Sequence, residues 1–422
     1  MPVRQWVLSL PHRLRLPRFV EQEFRDFLKS HSVVGRATTA HAPPSTLAFA
    51  ILGWIALAPG AQPRLPGTLR VATFNVFELS CGKIDAVDSR GEPGAHAQLR
   101  KAAEIVRRVQ PDVILINEID YSADANCARR FADRYLANRR EGLPSLDLPH
   151  LVYLPVNTGV PSGFDFTNDG DATDPGDAFG FGAYPGQYGM AFFSRYALDA
   201  RAIRTFQRFL WKDMPGHLMP DGRAGRPAYY SADEVQVFRL SSKSHWDVPV
   251  QVEGRVIHFL VSHPTPPVFD GPEDANGRRN FDEIRLWADY ISGGTTARYI
   301  VDDQGRAGGL AAGSSFVLLG DLNADPFWDP PTYGRTAISQ LLEHPALRDP
   351  RPLGEGEWPP PPDRTRYPGD PRTTTSSFGR LDYVLPSRDL DIAGTGVWYP
   401  RRDSPLSALV RPPEPASDHA LV

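Results

Sequence analysis

The chain has 422 residues, 41% of them hydrophobic and 23% charged, with a formal net charge of −4. That length and apolar content permit a large core, in one large domain or two ordinary ones. The charge balance excludes a global basic field for tight non-specific duplex binding, while 42 prolines and 36 glycines predict many ordered turns and no period supports a solenoid.

The first sixty residues differ from the rest. Thr46 to Ala58 form an apolar run preceded by Arg36 and followed by small residues to Ala61. This is signal-peptide anatomy, and the run is short for a membrane span. Residues 1–61 are therefore expected to be a signal peptide or N-terminal leader, with export to the periplasm or the outside; a buried helix or a retained anchor is the alternative. The stretch before Val34 is long for a leader, which puts the expected start of translation near Val33 or Val34. Residues 1–61 carry seven Lys/Arg against three Asp/Glu, so the remainder stands at −8 once that net +4 is taken from −4. Cys81 and Cys127 are the only cysteines. In an oxidising compartment they are expected to form one disulfide, two free thiols being the alternative, and their spacing is not that of a zinc site.

Residues 68–422 read as one domain. Leu69 to Asn75 alternates as a first strand; Leu99, Ala102, Ala103, Val106 and Val109 share one helical face before Pro111; and Asp112 to Asn117 is a second strand. A right-handed strand–helix–strand unit puts Asn75 and Glu118 at the same sheet edge. Residues 155–189 lack periodicity and are rich in Gly, Asp and Asn, the signature of a long structured loop. Strands are expected again at Met190–Ser194, Val256–Ser262, Phe316–Leu319, Leu381–Leu385 and Ala420–Val422, with helical character over Arg278–Ile291.

Polar residues gather at the strand ends: Asn75, Glu118, His263 in "SHPTPP", Asp321 and Asn323 in "GDLNADP", Asp382 in "GRLDYVL", and Asp418 with His419 in "ASDHALV". Strand ends that face loops are where open α/β sheets bind ligands. Singly, each residue also fits a solvated loop or a hydrogen-bonded structural role.

In this order, the six motifs make the chain resemble the endonuclease/exonuclease/phosphatase superfamily from about Leu69 to Val422. The resemblance implies an α/β fold, a four-layer α/β/β/α sandwich of two packed mixed sheets flanked by helices. It implies a metal-dependent phosphoesterase that hydrolyses phosphate esters by in-line attack of activated water. Glu118 matches the principal metal carboxylate, with Asn75 beside it and Asp418 completing an acidic wall. His419 matches the catalytic histidine and Asp382 the carboxylate that orients its ring, with Asp321 the competing candidate for the general base. Asn323 would hold the phosphate or the water, and His263 would stabilise charge or protonate the leaving group. Hard oxygen donors suit Mg²⁺, with Mn²⁺ able to substitute, and the lack of a Cys or His cluster argues against zinc.

The departures from the family bear on substrate. Residues 155–189, Trp211–Gly216, Ser241–Asp247 and Asp270–Arg285 are expected to rim the cleft, where Lys243, His245, Arg278 and Arg279 supply a cationic pocket or merely solvated charge. Asp165 to Asp174 places carboxylates and amides around Gly170 in a pattern similar to a Ca²⁺ loop, without the closing Glu of an EF-hand. No aromatic-and-basic run proposes a single-strand platform. Nucleic acid and small phosphorylated molecules stay open as substrates. The chain is expected to be a monomer with no obligate protein partner, and a non-catalytic binding protein that kept the fold is the alternative of a different class.

Overall fold

The computed structural model describes residues 7–9, 67–138, 142–331, 333–361 and 366–422; the segment 46–61, expected to be a signal peptide, lies outside them. The strands that position the site are β1 (Val71–Leu79), β2 (Val113–Ile119), β3 (His150–Val152), β4 (Met190–Ser194), β5 (Arg204–Thr205), β6 (His245–Val252), β7 (Arg255–Ser262), β8 (Ser315–Asp321) and β9 (Asp382–Pro386). The long helices are α1 (Ala97–Val109) and α2 (Ala275–Ser292).

One sheet has the order β1-β2-β4-β3 and the other β9-β8-β7-β6-β5. Both are mixed: β1 and β2 run parallel, as do β7 and β8, and the other neighbours are antiparallel. Val7–Ser9 pairs with Thr68–Leu69 and Asp391–Gly394 in a separate small sheet.

The period of two along a strand explains the layering. On β7 and β8, Phe259, Val261, Val317 and Leu319 point into the core between the sheets, while Leu260, Phe316 and Leu318 point outward against Ile284, Trp287 and Tyr290 of α2. Phe192 of β4 meets Phe259 of β7 across the middle, ring centroids 5.3 Å apart. Leu99, Ala102 and Val106 of α1 cover the outer face of the first sheet. The result is the four-layer α/β/β/α sandwich.

Several expectations are redrawn. Ser241–Asp247 is a loop only as far as Ser244: His245 opens β6, which is buried along most of its length. Pro249 hid this strand, because proline cannot donate to a ladder and is rare inside sheets. It is accommodated because β5 pairs only with Trp246 and Asp247, so Pro249 lies beyond the paired stretch. Ala420–Val422 joins neither sheet. Val422 exchanges both backbone hydrogen bonds with Thr73, at 2.9 and 3.0 Å, but Leu421 serves Trp398 and Ala420 serves Thr375, so no continuous partner exists.

Candidate active site

The ends of the two sheets meet where β1 and β2 of one face β8 and β9 of the other. Between Asn75 and Leu79 the pairing of β1 with β2 is interrupted by a bulge. Phe77 and Glu78 there adopt φ of 46° and 52°, and Glu118 on the neighbouring strand has φ 63°. Left-handed backbone at non-glycine residues costs of order 1–3 kcal/mol each and gathers at functional sites. Here the strain turns the Glu78 N–H onto Glu118 Oε2, at 3.0 Å. Gln98 of α1 supports the bulge by donating to the carbonyls of Val76 and Phe77, 2.9 Å each.

Asn75 joins the two sheets. Its Nδ2 donates to Glu118 Oε1 at 3.0 Å and to Asp321 Oδ2 at 2.9 Å, while its Oδ1 accepts the Phe77 N–H. It therefore stands beside the acidic wall as a donor, its oxygen already engaged. Asp321 is brought in by Gly320, whose φ is +151° and whose added Cβ would lie 2.1 Å from the Ser262 carbonyl oxygen. Only glycine lets β8 approach β7 that closely.

Asp321 Oδ2 is the hub of the site. His263 Nε2 lies 3.5 Å from it and His419 Nε2 3.8 Å. The other oxygen, Oδ1, accepts the Asn323 N–H at 3.0 Å, and Asn323 Nδ2 donates to the Pro264 carbonyl at 3.1 Å. His419 Nδ1 sits 2.8 Å from Asp382 Oδ2, and the Thr375 hydroxyl oxygen accepts the Asp382 N–H. Ser417 ties the last segment to β1 by donating to the Asn75 carbonyl at 2.6 Å while accepting the His419 N–H at 3.0 Å. Asp418 between them is exposed.

Burial and charge divide the protons. Burial pushes the Asp321 carboxyl up to about 6, moderated by the charge of His419. Burial opposes charge on His419, yet the carboxylates of Asp382 and Asp321 hold its ring well above the usual histidine value. His263 goes the other way: burial, then the cations at Lys243 and His419, keep it well below. One neutral and one protonated imidazole thus flank a single carboxylate oxygen.

All eight predicted site residues gather here, with Glu118 and Asp418 on one side and Asp321, Asp382, His263 and His419 on the other. Lys243 joins them as a buried side chain; burial lowers its ammonium, and Glu283, Glu118 and Asp321 draw it back up. The other expected cations are engaged elsewhere, Arg278 by donating to the Glu273 and Leu218 carbonyls. His245 is fully buried, its ring between the Ser241 hydroxyl and the Glu283 carbonyl, and burial lowers it to about 4. Arg279 donates to the carbonyls of Leu240, Arg239 and Phe179. Asn117 was missed: its Oδ1 accepts from the Thr73 hydroxyl and the Asp321 N–H. A lone amide ending the apolar run of β2 was the available signal.

Two groups could hold a metal. Asp321, Asp382 and His419 are the described His/Asp/Glu trio whose ligand atoms converge, within 4.8 Å, but their charges already pair among themselves. Glu118 is half-buried, has Asp418 nearby raising its pKa together with burial, and has no described Lys or Arg within ion-pair distance. Carboxylate oxygens with no directly paired Lys or Arg fit a hard cation that keeps several waters. Both cysteines are locked in the disulfide, so no thiolate competes.

Comparison with known proteins places residues 72–419 in a match to the Endonuclease/Exonuclease/phosphatase family. No curated protein sequence matches. Among solved structures, an endonuclease/exonuclease/phosphatase from Beutenbergia cavernae is 18% identical, with 84% of this chain and 69% of that one covered and a TM-score of 0.45. Sphingomyelinase C from Streptomyces griseocarneus is 19% identical over 76% of this chain and 84% of its own, TM-score 0.38. A mutant beta toxin from Staphylococcus aureus with bound magnesium ions is 12% identical over 83% of this chain and 97% of its own, TM-score 0.38.

Proposed function

Because the chain belongs to the endonuclease/exonuclease/phosphatase family, a family of phosphoric ester hydrolases, we propose that it is an exported phosphoesterase that uses a divalent metal, best Mg²⁺, and water to cleave a phosphate ester. The observation that carries this is the convergence on Asp321 Oδ2 of Asn75 from one sheet, His263 just after β7 of the other, and His419 from the C-terminal segment. A phosphorus centre beside that oxygen would face acid–base groups and donors from both sheets.

Glu118 and Asp418 would hold the cation, which supplies charge neutralisation at the phosphate oxygens. Lys243 adds a fixed positive charge from within the protein. Asp382 fixes the His419 ring through Nδ1, leaving Nε2 toward the reacting centre. The proton of the attacking water passes to the Asp321–His419 pair, whose titration belongs to the pair rather than to either member. His263 Nε2 and the Asn323 amide complete the donors around the charge that develops on oxygen.

For substrate, Phe77, Phe269, Phe327 and Phe378 are exposed and lie on segments entering or leaving the strand ends that carry the site. They favour a phosphate ester bearing an apolar or stackable group. Export is supported by the Cys81–Cys127 disulfide, with Cα atoms 5.4 Å apart, since such bonds persist in oxidising compartments. The test is a panel of plasmid DNA, RNA, bis-p-nitrophenyl phosphate, p-nitrophenyl phosphate, sphingomyelin and inositol phosphates, each with Mg²⁺ and with EDTA. Mg²⁺-dependent release from at least one ester is expected; silence across the panel from folded protein would refute the proposal.

A further inference from the structure

The loop between β3 and β4 contains a second acidic site that the chemistry above does not use. Asp165, Asp169, Asp171, Asp174 and Asp177 fall within thirteen residues that hold no Lys or Arg. The chain wraps around the first of them. Asp165 Oδ1 accepts the Asp169 N–H and the Thr167 hydroxyl, and Oδ2 accepts the Gly170 N–H at 2.9 Å.

An acidic loop alone would be only a solvated loop, but Asp177 changes its meaning. Its side chain is buried, 1% exposed. Oδ1 accepts the Thr167 N–H at 3.1 Å, which docks it against the start of the loop, while Oδ2 is buried with no hydrogen-bond partner. Burial raises its pKa, and the charges of Asp174 and Asp165 raise it further. No described ion pair involves any of the five carboxylates. An uncompensated buried carboxylate oxygen beside like charges is costly, and a cation on that oxygen removes the cost.

We propose that residues 165–177 form a Ca²⁺ site, with Asp177 Oδ2 and Asp165 as its carboxylate anchors. The donors on offer are all oxygen: carboxylates, the Asn168 amide, threonine hydroxyls and backbone carbonyls. The described carboxylates do not converge here as a trio, so carbonyls and water complete the shell. That irregular oxygen set suits Ca²⁺, which takes six to eight ligands flexibly, better than octahedral Mg²⁺. The site is placed to order the active-site wall. Directly after Asp177, the Phe179 carbonyl accepts from Arg279, Gly180 packs against the Ser242 carbonyl beside Lys243, and Tyr184 donates to Asp120 just past Glu118.

The inference is independent of the phosphoesterase reading and is tested by binding. Full-length protein stripped with EDTA and returned to excess Mg²⁺, so that Glu118 and Asp418 do not report, is titrated with CaCl₂ by calorimetry, and its melting is followed in parallel. One Ca²⁺ per chain is expected, with Kd of roughly 10⁻⁴–10⁻³ M as in extracellular modules and a melting temperature raised by a few degrees at saturation, about the size linkage predicts. Asp165→Asn and Asp177→Asn should each abolish both signals; the partly exposed Asp165 serves as the variant that folds if Asp177→Asn does not. Absence of Ca²⁺ heat in the parent protein, or heat that survives in a folded variant of either residue, overturns the site.

Discussion

The two walls of the cleft are built on opposite principles. At the end of the first sheet Glu118 is half-buried on strained backbone, with the exposed Asp418 of the C-terminal segment nearby; charge is left open to solvent. At the end of the second, Asp321, Asp382 and His263 are buried together with His419 of the C-terminal segment, which lies against Asp382 and Asp321, while His263 lies against Asp321; charge is balanced internally and protons are held in place. Open charge is useful for taking up a cation and a phosphate. Closed charge is useful for moving one proton with little reorganisation.

The largest expected effects come from breaking the closed wall. His419→Ala and His263→Ala should each lower kcat by about 10²–10⁴-fold, the range of positioned acid–base groups, in variants that stay folded at the assay temperature. The double variant should lose less than the product, because the rings act as a unit. Asp382→Asn should behave as a milder His419→Ala, since it frees the ring without removing it. Full activity in stable His419→Ala would show that the buried network is structural.

Opening the other wall should separate metal use from proton transfer. Glu118→Gln keeps the shape and one acceptor oxygen for Asn75 or Glu78 but turns an NH2 toward the other donor and removes the charge, so it should raise the Mg²⁺ concentration for half-activity by about tenfold or more, at a small cost in melting temperature. Unaltered Mg²⁺ dependence would move the metal to the Asp321, Asp382 and His419 group. Lys243→Met retains apolar bulk without the cation. We expect KM to rise by about tenfold, a cost of about 1.4 kcal/mol, with kcat falling less.

The smallest effect concerns His245, a buried histidine beneath the closed wall that does no chemistry. Its folded value is lowered to about 4 from an ordinary 6.5, so unfolded chains take up the proton first as pH drops. Its stabilising contribution is complete above pH 6.5 and is lost as pH falls through the window down to about 4. The melting temperature should therefore fall more steeply over that window in the parent than in His245→Gln; equal slopes would remove His245 from the acid response.

Much of this was legible before folding was considered. The alternation in β1, the apolar runs of β7 and β8, the helical face of α1 and the polar residues ending those runs depend only on neighbours a few positions apart, and local backbone geometry converts them directly into strands, a helix and candidate site residues. β6 escaped because Pro249 argues against a strand wherever the pairing around it is unknown, and His245 at its start read as a loop charge for the same reason.

Tertiary structure alone decided the rest. Asn75 and Asp321 are 246 positions apart and share a hydrogen bond; His263 and His419 meet at one oxygen, from segments joined by no local pattern. Opposite protonation of two histidines also lay beyond the sequence, because a ring's charge depends on its burial and on which carboxylates and cations stand within a few ångströms. Those distances are set by how two sheets stack, and stacking is a property of the whole core rather than of any stretch of chain.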